Sequence, residues 1–363
     1  MKRQVTLRDV AAEAGVSSQT VSRVVNGKPE VSEATRRRVW DAVRRLGYRP
    51  NSIARSLASQ RTYSLGLITW SVNDAFRSAV IMGAQREALL RGYVFLLSVT
   101  EGSREELHRV CNLMLERQVD GLLLLAPATL PPEPLDCEQP IVSLAYPLSG
   151  PRVLNVDVDN VDGAYQAVSY LVGLGHRRIG MIAGPMGWKA TEERIEGARR
   201  ALAGCGQNLG DSWVIHSEDW TLEAGHGAAR ELLARHGDLS AFFCHNDWLA
   251  LGALRALYER GLSVPEDVSI IGYDDLPMCL YMTPSLSSVW QPRTGLGQLL
   301  AQLLIDAVEH GARAQHDVVV KASLVVRESV GPVSATLPAR CQGGALSIAP
   351  EEVRLSQKPA DIG

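Results

Sequence analysis

Three side chains near the amino end, Ser18, Gln19 and Arg23, could read the edges of DNA base pairs. Arginine is the best bidentate partner for guanine in the major groove, and glutamine suits adenine. Serine is small and specifies no particular base. At helical spacing these residues share one outward face with Ser22, and that face is rich in hydrogen-bonding groups. The pattern predicts a surface that recognises the major groove.

Two short helices must position this face. Thr6 can cap the first helix, with Asp9 completing a capping box, and Gly15 can supply the turn. Ser17 can cap the second helix, whose valines then face a core. The segment therefore predicts a helix-turn-helix, with an ordinary helical hairpin as the alternative.

A third helix is predicted from a Ser32 cap to Gly47, and its exposed face is basic. Residues 1–62 carry an excess of Lys and Arg, whereas the whole chain has a net charge of −3. Because the positive charge is one-sided and lies beside the predicted reading helix, it favours phosphate contact over a merely solvated surface. The arginines of this face are Arg36, Arg37, Arg38, Arg44 and Arg45.

Residues 48–62 are too short for a domain and are interpreted as a hinge. Asn51, Ala54 and Leu57 fall within a brief helix there, which is marginal alone in water at this length. Leu57 could enter a base step in the minor groove and kink the duplex. The alternative is that Leu57 packs on the neighbouring domain.

The run from Val5 to Ala58 resembles the DNA-binding headpiece and hinge of the LacI/GalR family of bacterial transcription regulators. Looser matches continue in the family's order to about Val330, including VDGLLLLAP, LVGLGHRRIGMIAGP and PSLSSVWQP. The resemblance implies that Ser18, Gln19 and Arg23 read the major groove. It implies phosphate contacts for Thr6, Ser17, Thr20, Ser22 and Asn26, and minor-groove contacts for Asn51, Ala54 and Leu57.

After the hinge, strand patterns alternate with helical patterns, which predicts an α/β domain with parallel sheets and helices on both faces. Predicted strands include Leu65–Thr69, Val94–Val99, Gly121–Leu125, Ile141–Leu144, Ile179–Ala183, Ala241–Cys244 and Val268–Gly272. Predicted helices include Ala164–Leu174, Thr191–Ala203, Leu222–Arg235 and Ala250–Arg260.

The resemblance implies two lobes joined by three crossing strands, as in periplasmic sugar-binding proteins. One lobe is expected to hold residues 63–160 and 292–322, and the other 161–291 and 323–330. Residues 331–363 are rich in Pro, Gly, Ala and Ser and are predicted to be a flexible tail.

Ligands of such sheets bind at the carboxyl ends of the strands, which here would face a cleft between the lobes. Polar side chains near these ends could bind hydroxyl pairs, and an indole could stack on an apolar ligand face. The resemblance places effector contacts at Arg194, Trp220, Asn246 and Asp274, although Asn246 and Asp274 could instead cap helices or hold turns. The predicted effector residues are Ser71, Asn73, Phe76, Arg194, Trp220, Asn246, Asp274 and Gln291.

Two departures from the family pattern leave the ligand open. Ala145 and Tyr146 stand where sugar-responsive relatives often place an aspartate, and Arg293 stands where some members use an aromatic residue. A sugar, a sugar phosphate or acid, and a nucleobase all remain possible effectors.

No catalytic or cofactor motif is evident. The phosphate-loop, dinucleotide and GxSxG spacings are absent, and neither the eight histidines nor the six cysteines show metal-ligand spacing. We therefore expect no enzyme activity, no metal and no cofactor. The amino end has no apolar signal segment, so we expect a cytoplasmic protein.

The sequence thus predicts a homodimeric DNA-binding transcription regulator, expected to be a repressor, with a pseudo-palindromic double-stranded operator and a small polar effector, expected to be a sugar or derivative. Whether the effector induces or corepresses, and whether the protein represses or activates, stays open. The alternative is a cytosolic small-molecule-binding or enzymatic α/β protein with an adventitious helical amino end.

Overall fold

A computed structural model describes most of the chain. The described residues are 5–25, 29–48, 61–100, 103–125, 137–145, 148–311, 317–333 and 354–355. The predicted DNA contacts Asn26, Asn51, Ala54 and Leu57 lie outside them, as does Tyr146. The chain separates into two compact units, Met1–Thr62 and Tyr63–Gly363.

The first unit holds three helices, α1 (Leu7–Ala14), α2 (Ser18–Val25) and α3 (Glu33–Leu46). Thr6 and Asp9 form the predicted capping box, and Gly15 adopts a left-handed φ of 62° between α1 and α2. The helices enclose a small apolar core, which fixes the outward face of α2. Its buried side chains include Val10, Val21, Val24, Val39 and Ala42.

The second unit alternates strands and helices. Its strands are β1 (Ser64–Thr69), β2 (Val94–Val99), β3 (Leu122–Leu125), β4 (Ile141–Leu144), β5 (Val153–Val158), β6 (Ile179–Ala183), β7 (Val214–His216), β8 (Ala241–Cys244), β9 (Ser269–Asp274), β10 (Ser287–Trp290), β11 (Val318–Val320), β12 (Ser323–Val326) and β13 (Arg354–Leu355). Its helices are α4 (Ala75–Leu90), α5 (Arg104–Glu116), α6 (Asn160–Gly173), α7 (Lys189–Ala203), α8 (Leu222–Arg235), α9 (Asp247–Glu259) and α10 (Arg293–His310).

The strands form two sheets. The six-stranded sheet has the order β11-β5-β4-β3-β1-β2, and the seven-stranded sheet has the order β13-β12-β10-β9-β8-β6-β7. Among the described residues, every strand pair is parallel except β10 with β12. We call the six-stranded sheet with α4, α5 and α10 lobe 1, and the seven-stranded sheet with α6 to α9 lobe 2.

The chain passes between the lobes three times, after β5, after β10 and after β11. Strands β3, β4, β6, β8 and β9 are buried along their whole length, which explains their continuous apolar runs. The predicted fold class, a helix-turn-helix followed by a two-sheet α/β domain, is confirmed. No helix of the described residues is long and apolar enough to cross a membrane.

Some element bounds differ from the prediction. Helices α6 and α9 begin three or more residues before the predicted starts at Ala164 and Ala250, because Asp159 and Asn246 cap them ahead of the apolar pattern. The strands β5, β7 and β10 to β13 are absent from the predicted strands. Within the predicted flexible tail, Arg354–Leu355 pairs with β12 as an edge strand.

Candidate DNA interface and ligand cleft

The outward face of α2 carries the predicted base-reading residues. Gln19 and Arg23 are exposed, and Ser18 and Ser22 are half-buried. Arg23 Nε lies 3.7 Å from a carboxylate oxygen of Glu30, and both side chains are largely exposed. Exposed ion pairs of this kind contribute about 0–1 kcal/mol. Arg23 can therefore exchange Glu30 for a base at little cost.

Three of the predicted phosphate-binding hydroxyls hold helix ends. Thr6 Oγ1 donates to Asp9 Oδ2 at 2.8 Å, and Ser17 Oγ accepts from the Thr20 amide at 3.1 Å. The Ser17 and Thr20 hydroxyls also lie 2.9 Å apart. A hydroxyl has one donor and two acceptor sites. These contacts therefore fix the position of each hydroxyl and leave at least one site free for a further hydrogen bond.

The basic face of α3 makes exposed ion pairs. Arg37 pairs with Glu33 at 3.5 Å, and Arg44 pairs with Asp41. Arg45 reaches Glu13 of α1 at 3.1 Å. Exposed ion pairs contribute about 0–1 kcal/mol each, so these arginines can exchange their carboxylate partners for phosphates.

The cleft between lobe 1 and lobe 2 consists of two adjoining pockets. The inner pocket has a volume of about 90 Å³ and the outer pocket about 480 Å³. Both are lined by Trp70, Asp74, Trp188 and Trp220. The predicted effector residues lining the inner pocket are Phe76, Arg194, Trp220, Asn246, Asp274 and Gln291, and those lining the outer pocket are Ser71, Asn73 and Trp220.

Arg194 is buried in the wall of the inner pocket. Its Nε donates to Asn160 Oδ1 at 3.0 Å, and its Nη1 donates to the carbonyl of His245. Its guanidinium carbon lies 3.6 Å from the centre of the Tyr273 ring. Burial together with the Arg194 charge holds the pKa of His245 well below its ordinary value, so His245 adds no positive charge beside Arg194 at neutral pH. Arg194 is thus a fixed, desolvated cation that faces the ligand space.

Asn246 is already engaged in structural hydrogen bonds. Its Oδ1 caps α9 by accepting from the Leu249 amide at 2.7 Å, and its Nδ2 donates to the Trp220 carbonyl at 3.1 Å. The capping role weighed above for this residue is therefore observed. Asn246 also holds the Trp220 segment against α9, so it shapes the pocket it lines.

Asp274 ends β9 in a left-handed backbone conformation, with a φ of 99°. Its Oδ1 accepts from Gln291 Nε2 at 2.6 Å, which joins two predicted effector residues. Burial raises the pKa of Asp274 to about 8, and the nearby Arg194 charge opposes that shift. The carboxyl group is therefore largely protonated at neutral pH and can donate a hydrogen bond to a ligand.

This raised pKa predicts a pH dependence of stability. Between its ordinary value of 3.8 and about 8, the folded Asp274 holds a proton that the unfolded chain releases. The contribution of Asp274 to the free energy of unfolding should therefore fall as pH rises through this window and level off above it. In thermal melts from pH 5 to 9, Asp274→Asn should remove the part of the decline above pH 6.

Below pH 6, both proteins should share the remaining pH dependence. Asp247, whose pKa burial raises to about 6, lowers stability as pH rises, whereas the buried His176 and His245, whose pKa values are lowered, raise it. Parallel melting curves for the wild type and Asp274→Asn between pH 6 and 8 would contradict the assignment.

Three tryptophans meet edge to face across the cleft. Trp70 of lobe 1 lies 5.2 Å from Trp188 of lobe 2, and Trp188 lies 5.7 Å from Trp220, measured between ring centres. Sequence reasoning identified only Trp220. Trp70 directly follows β1, so the rule that found Trp220 could have found it, whereas Trp188 stands five residues after β6 without a distinguishing pattern.

Charged side chains on both lobes complete the cleft, and sequence reasoning missed them. Arg77 donates to the Leu125 carbonyl at 2.9 Å, and burial lowers its pKa to about 10, which leaves it protonated at neutral pH. Asp157 of β5 pairs with Lys189 of α7, and Lys189 also pairs with Glu193. The Asp157–Lys189 pair connects the two lobes at the edge of the inner pocket.

Gly184 fixes the position of Trp220. A Cβ atom added at Gly184 would lie 2.1 Å from the Trp220 ring, far inside van der Waals contact. Gly184→Ala should therefore displace the indole and weaken binding of any ligand that stacks on it by about tenfold, judged from the value of an aromatic contact. Tryptophan fluorescence and ligand titration would measure both effects. Gly173→Ala is the control, because its added Cβ atom meets open space and should change neither the tryptophan fluorescence nor the ligand affinity. Gly187→Ala is a poorer control because Gly187 has a positive φ.

Comparison with known proteins defines the class that this fold and site represent. Residues 6–51 match the family described as bacterial regulatory proteins, lacI family, and residues 168–330 match a periplasmic binding protein-like domain. The chain belongs to the lacI family of bacterial regulatory proteins. The predicted function of a helix-turn-helix transcription regulator is confirmed, and no finding supports the alternative of an adventitious amino-terminal hairpin.

Individual relatives match over most of their length. The chain is 38% identical to the HTH-type transcriptional regulator CelR of Thermobifida fusca, over 90% of this chain and 99% of CelR. It is 34% identical to the HTH-type transcriptional repressor PurR of Salmonella paratyphi A, over 90% of this chain and 96% of PurR. A structure of a CelR–cellobiose complex matches with a TM-score of 0.65 and 35% identity, over 90% of this chain and all of that one. The structure of the lac repressor dimer bound to operator and an anti-inducer matches with a TM-score of 0.78 and 30% identity, over 91% of this chain and all of that one.

Proposed function

We propose that this protein is a homodimeric transcriptional repressor whose affinity for a pseudo-palindromic operator is controlled by a sugar bound between its lobes. Residues 1–47 form the headpiece, 48–62 the hinge and 63–330 the effector-binding and dimerisation domain. The protein acts in the cytoplasm, where its operator DNA lies, and carries out no catalysis. The observation that carries the proposal is the combination of an exposed Gln19–Arg23 face on α2 with a tryptophan-lined polar cleft in the second unit.

The proposed DNA contacts follow from the geometry of the first unit. Gln19 and Arg23 read base edges because they are exposed on α2, whereas the capped hydroxyls of α1 and α2 and the basic face of α3 contact phosphates. Among the described residues, the proposed DNA contacts are Thr6, Ser17, Ser18, Gln19, Thr20, Ser22 and Arg23. Asn26, Asn51, Ala54 and Leu57 lie outside the described residues and are proposed from the family resemblance alone.

A sugar fits the proposed effector cleft better than the other ligand classes. Sugars present an apolar C–H face and a rim of hydroxyls, which suit indole rings and paired polar groups respectively. The inner pocket offers both, with Trp220 beside Arg194, Asp274 and Gln291. The cellobiose bound by the related CelR supports this class. The proposed effector contacts are Ser71, Asn73, Phe76, Arg194, Trp220, Asn246, Asp274 and Gln291.

The proposed dimer surface lies at one edge of lobe 1. β2 is an edge strand, and its Val94, Leu96, Leu97 and Val99 are all exposed. Helix α4 adds the exposed Met82, Leu89 and Leu90. An apolar edge strand of this kind is an aggregation hazard unless a partner covers it. The proposed partner is a second copy of the chain, because a pseudo-palindromic operator has two half-sites and each half-site binds one headpiece.

Leu97→Glu should therefore weaken dimerisation by about 30-fold or more, because it buries a charge in the apolar surface. Sedimentation velocity would measure the shift from dimer to monomer. Val319→Glu is the matched control, since Val319 is 60% exposed on β11 at the opposite edge of the same sheet. A monomeric Val319→Glu together with a dimeric Leu97→Glu would place the interface at the other edge.

The proposal is tested with the full chain and the DNA upstream of its own gene. We expect a gel shift at low salt that weakens steeply at moderate salt, because each phosphate contact releases counterions. A bound sugar should change operator affinity by about 5- to 150-fold, and the operator should change sugar affinity by the same factor. A chain that binds sugars and yet shifts no DNA would contradict the proposal.

A further inference from the structure

We infer that the outer pocket is a second sugar subsite, so that the effector is an oligosaccharide of two or more rings. This inference rests on the proposed function, because it presumes a sugar in the cleft. The inner pocket, at about 90 Å³, is smaller than the cavity of about 150 Å³ that holds benzene. A hexose has twice as many non-hydrogen atoms as benzene. The inner pocket therefore receives the hydroxyl-bearing edge of one ring, and the remaining atoms must lie outside it.

The outer pocket is where those atoms have room. Its volume of about 480 Å³ falls in the range of about 300–1,000 Å³ typical of small-molecule sites. It shares the walls formed by Trp70, Trp188 and Trp220 with the inner pocket. A ligand whose polar end is bound by Arg194 and Asp274 therefore extends directly into the outer pocket.

The lining of the outer pocket suits a second ring. Trp248, half-buried at the start of α9, adds a fourth indole. Asn73 of lobe 1 and Asp219 of lobe 2 add hydrogen-bonding groups from opposite sides. Asp219 Oδ1 accepts from the Thr221 amide at 2.9 Å and from the Thr221 hydroxyl at 2.5 Å, which fixes the carboxylate and leaves Oδ2 for ligand hydroxyls.

The charge of the outer pocket narrows the ligand class. Its described lining includes Asp74, Glu218, Asp219 and Glu223 and contains no Lys or Arg. A phosphate or carboxylate there would be repelled and would have no cationic partner. The outer ring is therefore neutral or cationic, which excludes a sugar phosphate or sugar acid with its anionic group in this pocket.

The test compares ring number within one sugar series. The full chain is titrated by calorimetry with four series of sugars, built from β-1,4-linked glucose, xylose, mannose or galactose. Each series contains the monosaccharide, the disaccharide and the trisaccharide. In the series that binds, we expect the disaccharide to bind about tenfold or more tightly than its monosaccharide. Equal affinity for both would overturn the outer subsite and leave the proposed function standing. Binding of no sugar in any series would overturn both.

Two variants locate the added affinity. Trp248→Ala should lower disaccharide affinity to about that of the monosaccharide while changing monosaccharide affinity by less than about twofold. Because Trp248 also packs on the core of lobe 2, Asp219→Ala is measured in parallel, as its side chain is exposed and lies outside that core. It should weaken the disaccharide selectively. Equal losses for monosaccharide and disaccharide in both variants would overturn the inference.

Discussion

Arg194→Ala should leave operator binding intact while lowering sugar affinity by about 100-fold or more. Hydrogen bonds from a charged donor are worth about 1.5–3 kcal/mol each, and about 2.8 kcal/mol corresponds to 100-fold. Arg194 is buried and already oriented by Asn160 and the His245 carbonyl, so little ordering cost offsets its contacts with a ligand. The operator complex should consequently become unresponsive to sugar. Calorimetry with the sugar and a gel shift with and without it would measure the two effects.

The same substitution has a second, independent consequence for Asp274. The Arg194 charge lowers the pKa of this carboxyl group, so its removal should raise the pKa further above 8.

Arg199→Ala is the matched control, since Arg199 lies on the same helix with its side chain in solvent. Normal release of the operator by sugar in Arg194→Ala would show that the effector binds elsewhere.

The local features of the site could be predicted because short stretches of chain determine them. The Thr6–Asp9 box, the Gly15 turn and the Ser17 cap depend on residues within one helical turn of each other, and all three are present. The position of Asn246 and Asp274 at strand ends follows from alternation of strands and helices. That rule places residues at a sheet edge and says nothing about which hydrogen bonds they form there.

Contacts between the lobes could not be predicted in the same way. Asp157 and Lys189 meet only because the chain crosses to lobe 2 after β5 and lobe 2 holds the start of α7 against the end of β5. The pairing of Trp70 with Trp188 likewise depends on the angle between the lobes. A single sequence carries no local signal for either contact. Six of the residues that line the inner pocket could therefore be predicted from the sequence, whereas Arg77, Asp157 and the closure by aromatic rings could not.

Arg23→Ala should weaken binding to the specific operator by about 1–3 kcal/mol, or about 5- to 150-fold, and relax the preference for one base pair in each half-site. The reason is geometric: the exposed Arg23 guanidinium projects from α2, and its only described ion pair, with Glu30 at 3.7 Å, is weak. Fluorescence anisotropy with operator duplexes substituted at single positions would identify the base pair it reads. Binding to random duplexes should change far less.

Arg36→Ala separates base reading from simple charge. As a proposed phosphate contact on α3, Arg36 should contribute equally to all duplexes, so its loss should weaken operator and random DNA alike. It should also reduce the slope of log affinity against log salt by about 0.9. If Arg23→Ala instead weakened all sequences equally with that same change in slope, Arg23 would be a phosphate contact. Sequence recognition would then depend on Gln19 and Ser18 of α2, with the hinge supplying the rest.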